Sequence, residues 1–206
     1  LRDASVLSLG PNSAIELSQF DFDATTHEGN MLVALRHGSL RVITGLIAKL
    51  RGQDQGFDAT LRAFDESLGK LGTDYVDLYL IHWPLPRLDK YVDSWRAMLR
   101  LKEEGRIRSV GVSNFLPEHV ERLRRETGVL PVVNQVELHP DFQQGALRQA
   151  MAALGIVVEC WSPLGRGEVL GNPVLETIAR KHGRSVAQVI LRWHLQLGLV
   201  AIPKSQ

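Results

Sequence analysis

The chain lacks several features that would assign it to a whole class of proteins. Its single cysteine, Cys160, excludes a disulfide within these 206 residues, and a reducing, cytoplasmic setting is therefore expected. No apolar run approaches the roughly 18 residues that a membrane-spanning helix needs. The first ten residues, LRDASVLSLG, have no basic region followed by a long apolar stretch, so no signal peptide is expected.

An excess of charge of either sign is also missing. The chain carries 24 basic and 23 acidic residues, a net charge of +1, which argues against a nucleic-acid-binding surface and against a polybasic membrane anchor. Histidines and carboxylates are too scattered for a metal-ligand cluster, so no metal is expected. No low-complexity or proline-rich linker divides the sequence, and residues 1–206 are predicted to form a single domain.

From residue 58 onward, helical and strand patterns alternate. Predicted helices end at five glycines, and an apolar strand follows each glycine within a few residues: Gly72, Gly105, Gly128, Gly155 and Gly198. The first of these helices is predicted to begin at Asp58 as its N-cap. The strands read VDLYLI, IRSVGVS, PVVNQVEL, IVVECWS and LVAIP. Units of this size predict the βα repeats of a parallel sheet.

The first 57 residues give a weaker pattern. VLSLG predicts one strand, and ELSQFDFDATT predicts another around residues 20–22. RVITGLIAKL reads as a single strand with Lys49 near its end, and MLVALRHG is interpreted as a short helix between these strands. Together with the later segments, these make eight strand candidates.

Two architectures fit this alternation, an open doubly wound sheet and a (β/α)₈ barrel. A dinucleotide-binding open sheet requires G-x-G-x-x-G after its first strand, whereas the nearest string, GRGEVLG, has the wrong spacing and comes late. In a barrel the carboxyl ends of all strands meet on one face, where barrel enzymes keep their sites. Polar residues at five predicted strand ends favour the barrel: His82; Ser113 and Asn114; Asn134 and Gln135; Trp161 and Ser162; Lys204 and Ser205.

Five segments resemble the motifs of the aldo-keto reductase family. They are DYVDLYLIHWP, GVSNF, VVNQVELHP, CWSPLGRG and IPKS, and they occur in the family's order from about residue 49 to the end of the chain. The resemblance implies a (β/α)₈ barrel that binds a nicotinamide cofactor, most often NADPH. It also implies that hydride passes to the carbonyl of a small aldehyde or ketone, reversibly with the alcohol.

The resemblance implies a set of catalytic residues as well. The family uses an aspartate, a tyrosine, a lysine and a histidine, and by motif Asp23, Lys49 and His82 are the first, third and fourth of these. A histidine at the tip of an apolar strand fits this role, because a barrel strand opens into the pocket at its carboxyl end. His82 and Trp83 are expected to line the substrate pocket.

The chain departs from the family at the tyrosine, where it has Glu28. The tyrosines of the chain, Tyr75, Tyr79 and Tyr91, are all far from this position. A carboxylate beside Lys49 is expected to stay ionised and to repel a forming alkoxide. Carbonyl reduction is therefore expected to be slow or absent unless His82 or a bound water donates the proton.

The resemblance also implies the cofactor contacts. Trp161 would stack on the nicotinamide, polar strand-end groups would bind its carboxamide, and the glycine-containing loop after the seventh strand would approach the pyrophosphate. The residues implied are Ser113, Asn114, Gln135, Trp161, Ser162, Leu164, Gly165, Gly167, Lys204 and Ser205.

The leading interpretation is an NADPH-dependent reductase, monomeric and cytoplasmic. The alternative is a nicotinamide-binding sensor or regulatory protein with impaired catalysis, because of Glu28. A third is a fragment with an incomplete cofactor site, since the family's first helix looks too short here and its last helix and tail would lie beyond Gln206. Another barrel chemistry is possible on fold alone, but the motif order argues against it.

Overall fold

The computed structural model describes residues 6–9, 14–22, 29–37, 40–43 and 46–203, and as far as residue 43 it describes only the course of the strands. Ten strands lie in this part of the chain. They are β1 (Val6–Leu9), β2 (Ala14–Phe22), β3 (Gly29–His37), β4 (Leu40–Ile43), β5 (Ile47–Leu50), β6 (Val76–Ile81), β7 (Ile107–Ser113), β8 (Val133–Glu137), β9 (Val157–Trp161) and β10 (Val200–Ile202).

Six α-helices lie between the later strands. They are α1 (Phe57–Leu71), α2 (Tyr91–Glu103), α3 (Pro117–Thr127), α4 (Gly145–Ala153), α5 (Pro173–His182) and α6 (Val186–Gln196). Two 3₁₀ segments, Gly52–Asp54 and Gly165–Gly171, follow β5 and β9. Among the described residues, no helix has the length and apolar character needed to cross a membrane.

Strands β5 to β10 form one sheet in which spatial order follows chain order. The pairs β5–β6, β6–β7 and β7–β8 are parallel, with Lys49 opposite Leu80 and Ser113 opposite Gln135. The predicted βα repeats are thereby confirmed. A doubly wound sheet reverses its strand order at a switch point, whereas a barrel keeps each strand beside the next. The uninterrupted order of these six strands is the order of a barrel.

The N-terminal strands correct three predictions. Residues 29–37 form a strand, not the helix predicted for MLVALRHG, because this apolar run suits either structure and pairs antiparallel with β2. RVITGLIAKL contains two strands: β4 pairs antiparallel with β1, and β5 joins the parallel sheet. The predicted strand around residues 20–22 begins at Ala14. Ten described strands therefore replace eight candidates, and six of them form the parallel sheet.

Helix α1 begins two residues earlier than predicted. Its N-cap is Gly56, with φ 114°, and not Asp58. The Gly56 N–H donates to the Ser94 hydroxyl of α2 at 2.8 Å, so a neighbouring helix satisfies it. Asp58 lies in the first turn, where its negative charge complements the helix dipole. At the other end, Gly72 adopts the left-handed conformation that the glycine predicted.

The described residues form two compact units, and most of the strand-end residues lie in the first. This unit contains residues 46–137 and 143–159, and the second contains the described parts of 6–43 with 138–142 and 160–203. In the first unit, Phe64 of α1 packs edge-on against Tyr79 of β6, with ring centroids 5.0 Å apart. Trp95 of α2 is fully buried, as expected of a helix face that covers the sheet.

Candidate active site

Neighbouring strands in the first unit end beside one another and place expected site residues on one face of the sheet. Lys49 lies opposite Leu80 in the β5–β6 pair, and His82 is two residues further along that chain. Side chains two residues apart point to the same face of a strand. Ser113 at the end of β7 lies opposite Gln135 of β8. The structure therefore places Lys49 near the end of β5, His82 just beyond β6, and Ser113 at the end of β7 opposite Gln135 in the middle of β8.

A hydrogen-bonded chain crosses this face of the sheet. The Lys49 ammonium donates to Oε1 of Gln135, and Nε2 of Gln135 donates to Oε2 of Glu159 at 2.7 Å. Gln135 and Glu159 are 3% and 2% exposed, so both are shielded from water. An ionised carboxylate is this deeply buried only when it is paired or hydrogen-bonded, and the amide of Gln135 supplies that bond.

Burial and charge act in opposite directions on the ionisable groups here. Burial lowers the pKa of Lys49, and the negative charge of Glu159 partly offsets this. Burial raises the pKa of Glu159, while the hydrogen bond from Gln135 and the charge of Lys49 act against it. Partial burial and then the positive charge of Lys49 lower the pKa of His82, so its imidazole is neutral at pH 7.

Asn114 joins the end of β7 to the loop that carries His82. Its Nδ2 donates to the carbonyl of His82 at 3.0 Å and to the Ser113 hydroxyl at 3.1 Å. Its backbone N–H and the Ser113 hydroxyl both donate to the Gln135 carbonyl, at 2.9 and 2.8 Å. Asn114 has φ 63°, a left-handed conformation that asparagine tolerates better than most residues. The GVSNF motif thus fixes the backbone on both sides of β7.

Trp83 presents an exposed indole on a fixed backbone. Its side chain is 45% exposed, whereas its carbonyl accepts a 2.6 Å hydrogen bond from Nε2 of the buried Gln55. Gln55 follows the 3₁₀ turn after β5, so this bond connects the loops after β5 and β6. The rings of His82 and Trp83 are 6.3 Å apart. An exposed aromatic beside a neutral histidine offers an apolar surface and a hydrogen-bonding group to a small ligand.

The second unit holds Trp161 and the loop that follows β9. Ser162 and Gly165 have positive φ values of 50° and 53°, and the Gly165 N–H donates to the Ser162 carbonyl at 2.9 Å. Leu164, with φ −96° and ψ 17°, precedes the left-handed Gly165. The N–H groups of Gly165 and Gly167 both donate within this turn, to the carbonyls of Ser162 and Leu164. Gly167, at φ 97°, continues this turn.

Glycine is required at position 165. A Cβ there would lie 2.8 Å from Cγ1 of Val169, and the positive φ would strain any other residue. His139 packs beside it, with its Nδ1 3.5 Å from the same point, and this nitrogen is buried without a protein partner. The guanidinium of Arg166 lies 6.0 Å from the centre of the Trp161 ring.

Four expected site residues, Asp23, Glu28, Lys204 and Ser205, lie outside the described residues. Within the part of the chain that is described, no group of three or more histidine, cysteine or carboxylate side chains could hold a metal ion.

Sequence reasoning missed Glu159 and Gln55, two buried polar residues that bond to expected site residues. Glu159 carried a usable signal, because it is a carboxylate inside an apolar strand and in phase with Trp161 two residues later. Gln55 lies in a loop and carried no such signal.

Comparison with known proteins identifies the family. The family model described as "Aldo/keto reductase family" matches residues 53–206, which include β6 to β10 but not Lys49 of β5. The chain belongs to the aldo/keto reductase family. It is 57% identical over 160 residues to an aldo-keto reductase of Mycolicibacterium smegmatis, which covers 78% of this chain and 58% of that protein. It is 52% identical to the glyoxal reductase of Bacillus subtilis over 78% of this chain and 57% of the relative.

A solved structure supports the same conclusion for the fold. A mutant of the protein Gox0644, in complex with NADPH, is 54% identical and superposes with a TM-score of 0.76, over 78% of this chain and 59% of that one. The six parallel strands and their helices are therefore part of an aldo/keto reductase (β/α)₈ barrel. The chain spans under three fifths of the length of the relatives named here.

Proposed function

We propose that this aldo/keto reductase is an NADPH-dependent oxidoreductase acting on the carbonyl of an aldehyde or ketone. When bound, NADPH would supply the hydride for the carbonyl carbon, and a proton would add to the oxygen, giving the alcohol and NADP⁺. The observation that carries the proposal is the set of Lys49 near the carboxyl end of β5, His82 just beyond β6, and Gln135 of β8, whose amide accepts from Lys49. Barrel enzymes place their reacting groups at this end of the strands.

The roles follow from the chemistry of each side chain. The neutral His82 is suited to donate a hydrogen bond to the substrate carbonyl, because its pKa is held below the usual value. Lys49 supplies positive charge near the oxygen on which negative charge develops. Asp23 completes this proposed catalytic set. The proposed substrate pocket includes His82 and Trp83, whose indole is exposed beside it.

The proposed cofactor contacts are those implied by the family motifs. Ser113, Asn114 and Gln135 supply polar groups for the carboxamide, and Trp161 supplies a stacking surface. The loop of Ser162, Leu164, Gly165 and Gly167 is proposed for the pyrophosphate, because its glycines let a ligand approach the backbone closely. Lys204 and Ser205 are proposed for the ribose phosphate. We further propose that residues 1–206 act as a single domain in a cytoplasmic monomer, consistent with the single cysteine.

The proposal is tested by titrating the protein with NADPH and following tryptophan fluorescence. Saturable quenching is expected in the wild type, and its amplitude should fall in Trp161→Ala, which removes the stacking indole. Trp193→Phe is the matched control, since it removes a different indole, on α6, and should leave the affinity unchanged. Turnover is then measured with glyoxal, because a relative is named glyoxal reductase. Absence of saturable quenching up to about 1 mM NADPH would overturn the proposal.

A second candidate is a nicotinamide-binding protein with little or no reductase activity. Glu28 favours it, because a glutamate stands where the family has its proton-donating tyrosine. In this case NADPH binds, turnover is very slow, and Glu28→Tyr raises kcat, because a tyrosine hydroxyl can donate a proton where an ionised carboxylate cannot. A wild type that already turns over rapidly would exclude the candidate.

A further inference from the structure

Glu159 is a buried carboxylate for which neither the family motifs nor the proposed reaction gives a role. It lies in β9 between the buried residues Val158 and Cys160 and is 2% exposed. Its Oε2 accepts from Nε2 of Gln135 at 2.7 Å. Burying an ionised carboxylate costs several kcal/mol unless it is paired and hydrogen-bonded. Because burying this carboxylate costs free energy, its role is expected to lie in its charge and its hydrogen bond, which an apolar side chain would lack.

The two charged neighbours of Gln135 determine which way its amide faces. A lysine ammonium only donates hydrogen bonds, and a carboxylate only accepts them. With Oε1 towards Lys49 and Nε2 towards Glu159, both contacts are favourable. Rotating the amide by 180° would place donor against donor at Lys49 and acceptor against acceptor at Glu159. Lys49 and Glu159 therefore select one orientation of the Gln135 amide.

That orientation leaves a defined set of free groups on Gln135. An amide carries two N–H donors on its nitrogen and two lone pairs on its oxygen. Glu159 uses one donor and Lys49 uses one lone pair, so one of each remains. A carboxamide needs one acceptor and one donor to be recognised, and a fixed amide loses no orientational freedom when it binds.

Glu159 also supplies negative charge to a face of the sheet that holds Lys49 and His82. The charge of Lys49 acts on both His82 and Glu159, and the charge of Glu159 acts on Lys49, while Asp23 is the further acid proposed for the site. The charge of Glu159 favours the protonated form of Lys49, whereas burial opposes it. A charged Lys49 is the form that the proposed reaction uses.

We infer that Glu159 is a positioning residue, which orients the Gln135 amide for the nicotinamide carboxamide and acts through it as the buried countercharge of Lys49. The cofactor part of this inference rests on the proposed function, whereas the countercharge part does not. Glu159 does not touch substrate or cofactor in this assignment. Its effects are therefore measured as the pKa of Lys49 and as the NADPH affinity that depends on Gln135.

The test uses Glu159→Gln, which keeps the shape and an acceptor oxygen but removes the charge. The titration of Lys49 is followed by NMR of its ε-methylene group, with the signal assigned by its loss in Lys49→Met. We expect the midpoint to fall by roughly one pH unit, because an opposite charge nearby is lost. NADPH affinity should fall about tenfold, since the amide of Gln135 is no longer held in one orientation. Glu104→Gln, at an exposed ion pair with Arg100, is the matched control and should change neither value.

A double variant separates charge from orientation. Gln135→Glu combined with Glu159→Gln moves the carboxylate one step closer to Lys49 and preserves a hydrogen bond between positions 135 and 159. The Lys49 midpoint should return to the wild-type value or rise above it, while NADPH affinity stays low because the amide is gone. Glu159→Asp keeps the charge and should retain most of the Lys49 midpoint even if Glu159→Gln fails to fold.

The outcomes distinguish this inference from the proposed function. If the wild type binds no NADPH, the proposed function fails, and the Lys49 titration alone decides whether Glu159 is the countercharge. If NADPH binds and the Lys49 midpoint is the same in the wild type, Glu159→Gln and the double variant, the inference is wrong. An unchanged NADPH affinity in Glu159→Gln would refute the orienting role.

Discussion

At the scale of single residues, the site depends on burial that disfavours charge and on neighbours that restore it. Lys49 and Glu159 are both shifted towards their neutral forms by burial, and each is partly restored by the charge of the other. His82 differs, because the charge of Lys49 adds to the effect of burial. The charge of Lys49 thus adds to burial in lowering the pKa of His82 and, after the hydrogen bond from Gln135, opposes burial, which raises the pKa of Glu159.

This arrangement predicts that the pKa of His82 depends on the charge of Lys49. Its pKa lies below the usual 6.5, so the unfolded state binds more protons near that pH, and acidification through 6.5 should destabilise the fold. In Lys49→Met the pKa of His82 should rise towards 6.5 without reaching it, because burial remains. The measurement is an NMR titration of the His82 ring protons.

The control for this titration is Lys90→Met, which removes an exposed ammonium at the start of α2. It should leave the His82 midpoint where it is in the wild type. An equal midpoint in the wild type and in Lys49→Met would show that the charge of Lys49 does not reach the histidine.

At the scale of elements, close packing between neighbouring strands sets the sheet. A Cβ on Gly111 of β7 would lie 2.6 Å from Cδ2 of Leu80 and 2.9 Å from the Val133 carbonyl oxygen. The leucine side chain can move, but the carbonyl belongs to the backbone at the start of β8. The absence of a side chain at position 111 therefore lets β6, β7 and the start of β8 approach one another.

Gly111→Ala should therefore destabilise the protein, by about 1–3 kcal/mol, the usual cost of overpacking. Gly69→Ala makes the same chemical change in α1, where a Cβ would meet nothing within 4 Å. It should stabilise the helix by about 0.5–1 kcal/mol, because alanine loses less backbone entropy than glycine. Urea unfolding midpoints of both variants test the pair, and a Gly111→Ala midpoint at or above the wild type would contradict the close approach.

The helix ends could be predicted from the sequence, whereas one strand and the long-range hydrogen bonds could not. Gly72 and Gly128 end their helices in the left-handed conformation, as predicted, because a helix end is decided by the few residues around it. Residues 29–37 were predicted wrongly because an apolar run gains its structure from the strand it pairs with, here β2. The hydrogen bonds from Lys49 to Gln135 and from Gln135 to Glu159 join residues 86 and 24 positions apart. Local sequence patterns cannot predict contacts between residues so far apart in the chain.

At the scale of the whole molecule, Cys160 is the single thiol of these 206 residues and is fully buried. A thiol reagent can therefore react only when the structure around β9 opens. Cys160 is also the first residue of the family motif CWSPLGRG. Labelling of Cys160 thus reports the opening of the region proposed to bind the cofactor.

Native protein should react slowly with a thiol reagent such as Ellman's reagent, and protein in urea should react at the rate of a free thiol. When opening is rapid and reversible, the native rate is proportional to the open fraction. NADPH at 100 times its Kd stabilises the closed form by about 2.7 kcal/mol and should slow labelling about a hundredfold. In Gln135→Ala the same NADPH concentration should slow labelling less, because the affinity is lower. Rapid stoichiometric labelling without denaturant would mean that β9 is open in solution. Slow labelling at a rate that NADPH does not change would mean that the fold is stable but that NADPH does not bind near Cys160.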